Sequence, residues 1–188
     1  NTYTTSAQYR PSVAADPAGN FVVAWQSTGQ DGAGPDIFAQ RYDPSGAPQG
    51  PEFRVNAATT DQQTLASPAF DAAGNFIVGW RAAPPFAVFA QRFDATGTRR
   101  GGEFRLNTYT TTSPKTRPAV AADAVGNFVV AWDGYGHDGS SAGVGAQRFG
   151  GLLPAALAVD PVPTASSDGN GVFEPGEQVF VSPSWHNV

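Results

Sequence analysis

The stretch that decides the fold is Gly19-Asn20-Phe21-Val22-Val23-Ala24-Trp25, which occurs three times with few changes. It recurs as Gly74-Asn75-Phe76-Ile77-Val78-Gly79-Trp80 and as Gly126-Asn127-Phe128-Val129-Val130-Ala131-Trp132. Chance does not produce three such matches at a spacing of roughly 50 residues, so the chain contains internal repeats. A Gly-Asn pair is typical of a tight turn, and the apolar, β-branched run after it is typical of a strand.

Two further motifs repeat with the same spacing. Ala39-Gln40-Arg41 returns as Ala90-Gln91-Arg92 and Ala146-Gln147-Arg148, and Glu52-Phe53-Arg54-Val55-Asn56 returns as Glu103-Phe104-Arg105-Leu106-Asn107. The matches predict three repeats, at residues 1–56, 57–107 and 108–160, followed by a different module at 161–188. The repeat pattern is lost after Phe149, where Gly150 replaces the aspartate of the earlier repeats.

Each repeat reads as four short strands. In the first repeat the predicted strands are 12–15, 21–25, 37–42 and 52–55, with Gly-containing turns at 16–20 and 43–46. Four antiparallel strands in a unit of roughly 50 residues are typical of a β-propeller blade. The fold class is therefore all-β, and we expect the tryptophan that ends each second strand to lie between neighbouring sheets, as a large apolar side chain should.

The number of repeats does not decide whether the three units form a closed fold. Closed propellers usually have about 4–8 blades, so three blades predict part of a larger propeller, whereas a β-trefoil is the alternative that closes with three units. Asn1-Thr2-Tyr3-Thr4-Thr5 matches residues 107–111, which follow a Glu-Phe-Arg-Leu strand. We therefore expect the sequence to be an excerpt from a longer array.

Composition excludes several classes of function. The 188 residues carry a net charge of −5 with only 11 Lys and Arg, which argues against a nucleic acid partner. No stretch approaches twenty apolar residues, so no membrane span is predicted. The chain has no cysteine, which excludes disulfides, zinc–thiolate sites and a thiol nucleophile. Its 22 glycines and 16 prolines leave little room for long helices.

The repeat resembles a known kind of sequence. The run of residues 11–25, then Ala39-Gln40-Arg41-Tyr42-Asp43 and residues 52–56, is similar to tandem repeats in large secreted bacterial proteins. The resemblance implies propeller-type blades in an extracellular, cell-surface or periplasmic module. It also implies that the partners are other repeats or domains of the same longer protein.

The last segment has a pattern of its own. Residues 168–177, Asp-Gly-Asn-Gly-Val-Phe-Glu-Pro-Gly-Glu, resemble the opening of a bacterial immunoglobulin-like module. The same residues have the spacing of a calcium loop, because oxygen donors alternate around a glycine at the sharp turn. The predicted calcium ligands are Asp168, Asn170, the carbonyl of Val172, Glu174 and Glu177. The alternative is an ordinary polar turn before a strand.

No catalytic residue is predicted. The only histidines, His137 and His186, lie in different modules. The aspartates that precede each Gly-Asn pair recur in all three repeats, and such recurrence favours a structural role in the turn over an active site. The loops after the tryptophans differ between repeats, and loops that differ are where binding is expected. The candidate ligand residues are Asp31, Tyr135, His137 and Asp138.

The expected function follows from this distribution of residues. The leading hypothesis is a non-catalytic extracellular module that acts as a structural and interaction scaffold and binds surface proteins. The first alternative is a lectin-like propeller or trefoil, because aromatic and Asp/Gly-rich loops suit a glycan. The second alternative is an accessory part of a glycan-active enzyme whose catalytic residues lie elsewhere.

Overall fold

A computed structural model describes residues 1–30, 34–59, 61–84, 86–107, 117–135 and 142–150. The chain divides into two compact units, Asn1–Leu153 and Pro154–Val188, and every described residue lies in the first unit. The predicted calcium ligands and the predicted immunoglobulin-like module therefore lie outside the described residues.

The described residues form three antiparallel sheets. Sheet 1 contains β1 (Gln8–Ala15), β2 (Phe21–Thr28), β3 (Pro35–Tyr42) and β4 (Phe53–Arg54). Sheet 2 contains β5 (Gln62–Phe70), β6 (Phe76–Ala83), β7 (Ala87–Phe93) and β8 (Arg99–Arg105). Sheet 3 contains β9 (Pro118–Ala122), β10 (Phe128–Tyr135) and β11 (Ala142–Phe149). No helix of the described chain has the length and apolar character needed to cross a membrane.

Each sheet is a simple meander of strands that follow one another in sequence. Within the described residues, every strand pairs only with strands of its own repeat, as in a propeller blade. The prediction of an all-β fold with propeller-type blades is confirmed, and the pairing does not support the trefoil alternative, in which strands of different repeats share a barrel.

The first strand of sheet 1 is longer than the sequence suggested. We expected sheet 1 to begin at Ser12, but β1 starts at Gln8 and passes through Pro11. Arg10, with φ of 54°, marks a register shift, and Leu65, with φ of 61°, occupies the same place in β5. In β1 the bulge leaves Pro11 unpaired, which suits a residue that has no N–H to donate, whereas in β5 the equivalent unpaired position is Ala66.

Each sheet has two unlike apolar faces. We call one the tryptophan face, formed by Phe21, Val23 and Trp25 in sheet 1, and the other the aliphatic face, formed there by Val22, Ala24, Ile37 and Ala39. The aliphatic face of sheet 1 packs on the tryptophan face of sheet 2, which contributes Phe76, Val78 and Trp80 to the same cluster. Sheet 2 packs on sheet 3 in the same way, through Ile77, Val88, Ala90, Phe128, Val130 and Trp132. The prediction that the tryptophans lie between sheets is therefore confirmed for Trp80 and Trp132.

Candidate functional site

The connections between the second and third strands leave and re-enter the sheets at the same end. The chain passes from the second to the third strand of each repeat between Thr28 and Pro35, between Ala83 and Ala87, and between Tyr135 and Ala142. Tyr135 is the last residue of β10, and it pairs with Ala142, the first residue of the neighbouring strand β11. Asp31, His137 and Asp138 lie outside the described residues, so the loops that carry them stay a prediction.

The recurring aspartates hold the turns between the first and second strands. Asp71 Oδ1 accepts hydrogen bonds from the backbone N–H groups of Ala73 and Asn75, both at 2.9 Å, and Oδ2 accepts from the Asn75 side chain at 2.8 Å. Asp16 and Asp123 accept the matching bonds from Asn20 and Asn127. Since the carboxylates are used by the turn, the geometry supports the structural role predicted for them.

A second set of aspartates holds the turns between the third and fourth strands. Asp43 Oδ1 accepts from the backbone and the hydroxyl of Ser45 and from Ala47 N. Asp94 makes the equivalent bonds to Thr96 and Thr98 and forms an ion pair with Arg100 at 2.5 Å. Sequence reasoning assigned no role to this pair, although each begins an Asp-x-x-Gly turn.

Hydrogen bonds shift the pKa of three turn aspartates. The bonds from the Ser45 hydroxyl and Ala47 N–H lower the pKa of Asp43, and the Asn127 side chain lowers the pKa of Asp123. Burial raises the pKa of Asp94, but the bonds from Thr96 and Thr98 outweigh it and hold this pKa below its ordinary value. These carboxyl groups are ionised at neutral pH and are unsuited to act as general acids.

The lowered pKa values predict an acid-sensitive fold. A carboxyl group with a lower pKa in the folded state contributes stability above its unfolded pKa of about 4, and that stability is lost as the pH falls through the folded value. We expect the free energy of unfolding to be level from neutral pH to about pH 5 and to fall below about pH 4. Urea unfolding at several pH values measures this, and Asp43→Asn should make the fall shallower. An unchanged slope in that variant contradicts the assignment.

Buried side-chain amides form hydrogen bonds with backbone groups of the sheets. Asn107 Oδ1 accepts from Val88 N at 2.8 Å, and Asn56 Oδ1 makes the equivalent bond to Ile37 N at 2.8 Å. The Gln91 side chain donates to the carbonyl of Arg92 at 2.9 Å, as Gln40 does to that of Arg41. The asparagines and glutamines of these repeated motifs therefore have a structural role, because they bond to the backbone of their own sheet.

Other polar residues join consecutive repeats. Glu103 accepts from Ala57 N, which follows the last strand of the first repeat, at 2.6 Å. Glu52 accepts the equivalent bond from Thr2 N, within the first repeat. The Arg41 guanidinium donates to the carbonyls of Ala95 and Thr96 in the turn of the next sheet. Arg41 and Glu103 therefore hold sheets 1 and 2 together, whereas Glu52 holds the start of its own repeat.

A polar hollow of about 230 Å³ lies where the turns of sheets 1 and 2 meet. Its walls include Asp16, Arg41, Asp43 and the stacked rings of Phe21 and Tyr42, whose centroids are 4.8 Å apart. The carboxylates and the guanidinium already bond to turn backbone, so the hollow contains no nucleophile held by a base. Sequence reasoning missed this hollow because its walls come from two repeats.

No described residues form a metal site. Within the described ranges, no three His, Cys, Asp or Glu side chains lie close enough to hold an ion. The calcium prediction rests on residues 168–177, outside those ranges, and stays a prediction.

Comparison with known proteins supports the fold. No protein-family model and no curated protein matches the chain. The fold is similar to that of the endo-arabinase from Bacteroides thetaiotaomicron VPI-5482, with 12% identity and a TM-score of 0.52 over 79% of this chain. It is also similar to the Hadza microbial sialidase Hz136, with 10% identity and a TM-score of 0.57 over 78% of this chain.

These similarities establish the architecture. Both relatives are propeller-type glycosidases, so the three stacked sheets have the arrangement of propeller blades. The chain spans 58% of the endo-arabinase and 36% of the sialidase. At identities this low the likeness concerns the fold alone, and no catalytic residue is transferred from either enzyme.

Proposed function

We propose that this chain is a non-catalytic extracellular module that acts as a structural and interaction scaffold, either on the cell surface or in a secreted protein. The observation that carries the proposal is the use of the recurring polar side chains. The turn aspartates, the buried amides and the glutamates Glu52 and Glu103 are all bonded to backbone groups of the fold. The resemblance to secreted bacterial repeats is the reason for placing the module outside the cell.

A second candidate is a glycan-binding module. Two observations favour it: the fold is similar to that of an endo-arabinase and a sialidase, and the strand ends that flank the variable loops lie at one end of the sheets. Asp31, Tyr135, His137 and Asp138 would then be the ligand residues. A role as an accessory part of a glycan-active enzyme is the related alternative.

A glycan array together with a hydrolysis assay separates these candidates. The scaffold proposal predicts no binding above background and no release of sugar from arabinan or from sialosides. Specific binding that is lost in the double variant His137→Ala/Asp138→Ala would contradict the scaffold and favour the lectin. Asp43→Asn, which changes a turn at the other end of the sheets, is the matched control and should leave any such binding unchanged.

A further inference from the structure

The first strands of the three repeats lie side by side. Strand β1 lies next to β5, and β5 lies next to β9. Each of them is the terminal strand of its own sheet. Sheet 2 packs on sheet 1 through one face and on sheet 3 through the other, so the surroundings of β5 and β6 are described on both sides.

One position near the end of the second strand holds a different side chain in each repeat. The three equivalent residues are Gln26, Arg81 and Asp133. Arg81 Nε donates to Thr64 Oγ1 on β5 at 3.0 Å, and Asp133 Oδ1 accepts from Arg117 N beside β9 at 2.6 Å. This position lies at the same end of the sheets as the variable loops begin, and polar residues that differ between repeats are where binding is expected.

The neighbouring sheets bring two more arginines to this place. Arg10 lies at the bulge of β1, and Arg117 occupies the equivalent position just before β9. Burial and then repulsion by Arg10 and Arg117 lower the pKa of Arg81, whereas the Asp133 carboxylate raises it. We call Arg10, Arg81 and Arg117 the arginine cluster. It has three positive charges against the one negative charge of Asp133, because arginine stays protonated in proteins.

Two of these guanidinium groups are accessible to a ligand. Arg10 and Arg117 are exposed, and in the part of the chain that the structure describes neither guanidinium donates a hydrogen bond. Other arginines of the fold are used differently: Arg41 donates to carbonyls of the next sheet, and Arg100 forms an ion pair with Asp94. The whole chain has a net charge of −5, so a group of like positive charges is a local feature, and it is unfavourable until an anion offsets it.

We propose that the arginine cluster binds an Asp- and Glu-rich segment of a protein partner. The proposal rests on the scaffold function and names the chemistry of the partner. A carboxylate accepts two parallel hydrogen bonds from one guanidinium group, and such charge-assisted pairs are among the stronger polar contacts in proteins. An acidic segment has carboxylates on neighbouring residues, so it can pair with more than one arginine of the cluster at once.

The chemistry of the cluster favours an acidic peptide over an acidic sugar. A guanidinium group has only donors and a carboxylate has only acceptors, so the two match. The hydroxyl groups of a sugar donate as well as accept, and the carboxylate beside the cluster, that of Asp133, already accepts from Arg117 N. A uronic acid also brings only one carboxylate per ring, whereas each residue of an acidic peptide brings one.

Isothermal titration calorimetry of the full chain with a capped hexaglutamate peptide tests the proposal, with capped hexaglutamine as the reference. We expect hexaglutamate to bind and hexaglutamine not to bind. Arg10→Gln and Arg117→Gln should each weaken the binding about tenfold, because each removes a charge-assisted contact. Arg148→Gln is the matched control. Arg148 is also exposed, but its charge acts on Asp123 in a turn at the other end of the sheets, so this variant should bind within about twofold of the wild type.

A second measurement uses the wild type alone and does not depend on the folding of any variant. Raising the NaCl concentration from about 50 mM to about 500 mM should weaken hexaglutamate binding about tenfold or more, because salt screens exposed charges. An affinity that does not change with salt overturns the proposal.

Three results of the titration would also overturn the proposal. They are equal binding of the two peptides, an Arg148→Gln variant that loses as much affinity as Arg117→Gln, and tighter binding of digalacturonate than of hexaglutamate, which would assign the cluster to an acidic sugar. The glycan array and the hydrolysis assay test the scaffold function without the peptide. Failure of the peptide to bind is therefore distinguishable from failure of the scaffold function.

Discussion

Replacing Trp80 with alanine is expected to lower the free energy of unfolding by about 3–5 kcal/mol. The side chain is 1% exposed and packs between sheets 1 and 2, where its ring lies 6.4 Å from that of Phe89. Its removal leaves a cavity between sheets 1 and 2. It also removes the N–H that bonds to Gln63, a side chain that is itself buried. Urea unfolding followed by circular dichroism measures the loss.

Two variants make this result specific. Trp80→Phe keeps an aromatic ring but loses the hydrogen bond to Gln63, so it should be less destabilising than the alanine variant. Val125→Ala changes a side chain that is 79% exposed and should stay within about 0.5 kcal/mol of the wild type. A loss below about 1 kcal/mol for Trp80→Ala would contradict the burial of this residue between two sheets.

Replacing Gly79 with alanine is expected to destabilise the fold by about 1–3 kcal/mol. Alanine normally stabilises a strand relative to glycine, because glycine loses more conformational freedom on folding. Here a Cβ atom at position 79 would lie 2.8 Å from Cγ2 of Val120, which belongs to sheet 3. Valine is stiff at χ1 and cannot swing aside, so the sheets must separate. Urea unfolding again measures the effect.

Gly102 provides the matched control for this substitution. It also lies in a strand, but a Cβ atom there would meet no atom within 4 Å. Gly102→Ala should therefore be neutral or slightly stabilising. If both alanine variants behave alike, the close approach of sheets 2 and 3 is wrong.

Much of the fold could be predicted from the sequence because each repeat encodes its own sheet. The run from Phe21 to Trp25 specifies a strand by local propensity, and Gly19 adopts φ of 86° in the turn before it. The position of Trp80 between sheets also followed from its size and apolar character. These properties belong to single repeats, and three copies made them visible.

Features that depend on two repeats at once were not predictable in this way. Arg41 and Arg92 occupy the same motif, yet Arg41 bonds to the next turn whereas Arg92 lies over the rings of Phe104 and Phe128, at 4.9 and 5.3 Å. The reason lies in the following repeat: Asp94 holds the turn that receives Arg41, and the third repeat has Gly150 at that position. The residues that decide this difference lie in the following repeat, so the motif of a single repeat could not predict it.

For the candidate site, the sequence predicted which loops would contain it but not which ligand they bind. The sequence showed which loops differ, and the described strand ends that flank these loops lie at one end of the sheets. The same comparison between repeats indicated that Asp16, Asp71 and Asp123 are structural, as their bonds to the turn backbone support. Ligand chemistry could not be predicted, because the candidate residues in the variable loops share no repeated pattern.

The stacking of one sheet's aliphatic face on the next sheet's tryptophan face is the central claim, and a double-mutant cycle between Gly79 and Val120 tests it most directly. If the alanine at position 79 clashes with Val120, then Val120→Ala should relieve the clash. The account predicts that Gly79→Ala/Val120→Ala is more stable than the sum of the two single effects, by about 1 kcal/mol or more. Effects that add to within about 0.5 kcal/mol would contradict the contact between these sheets.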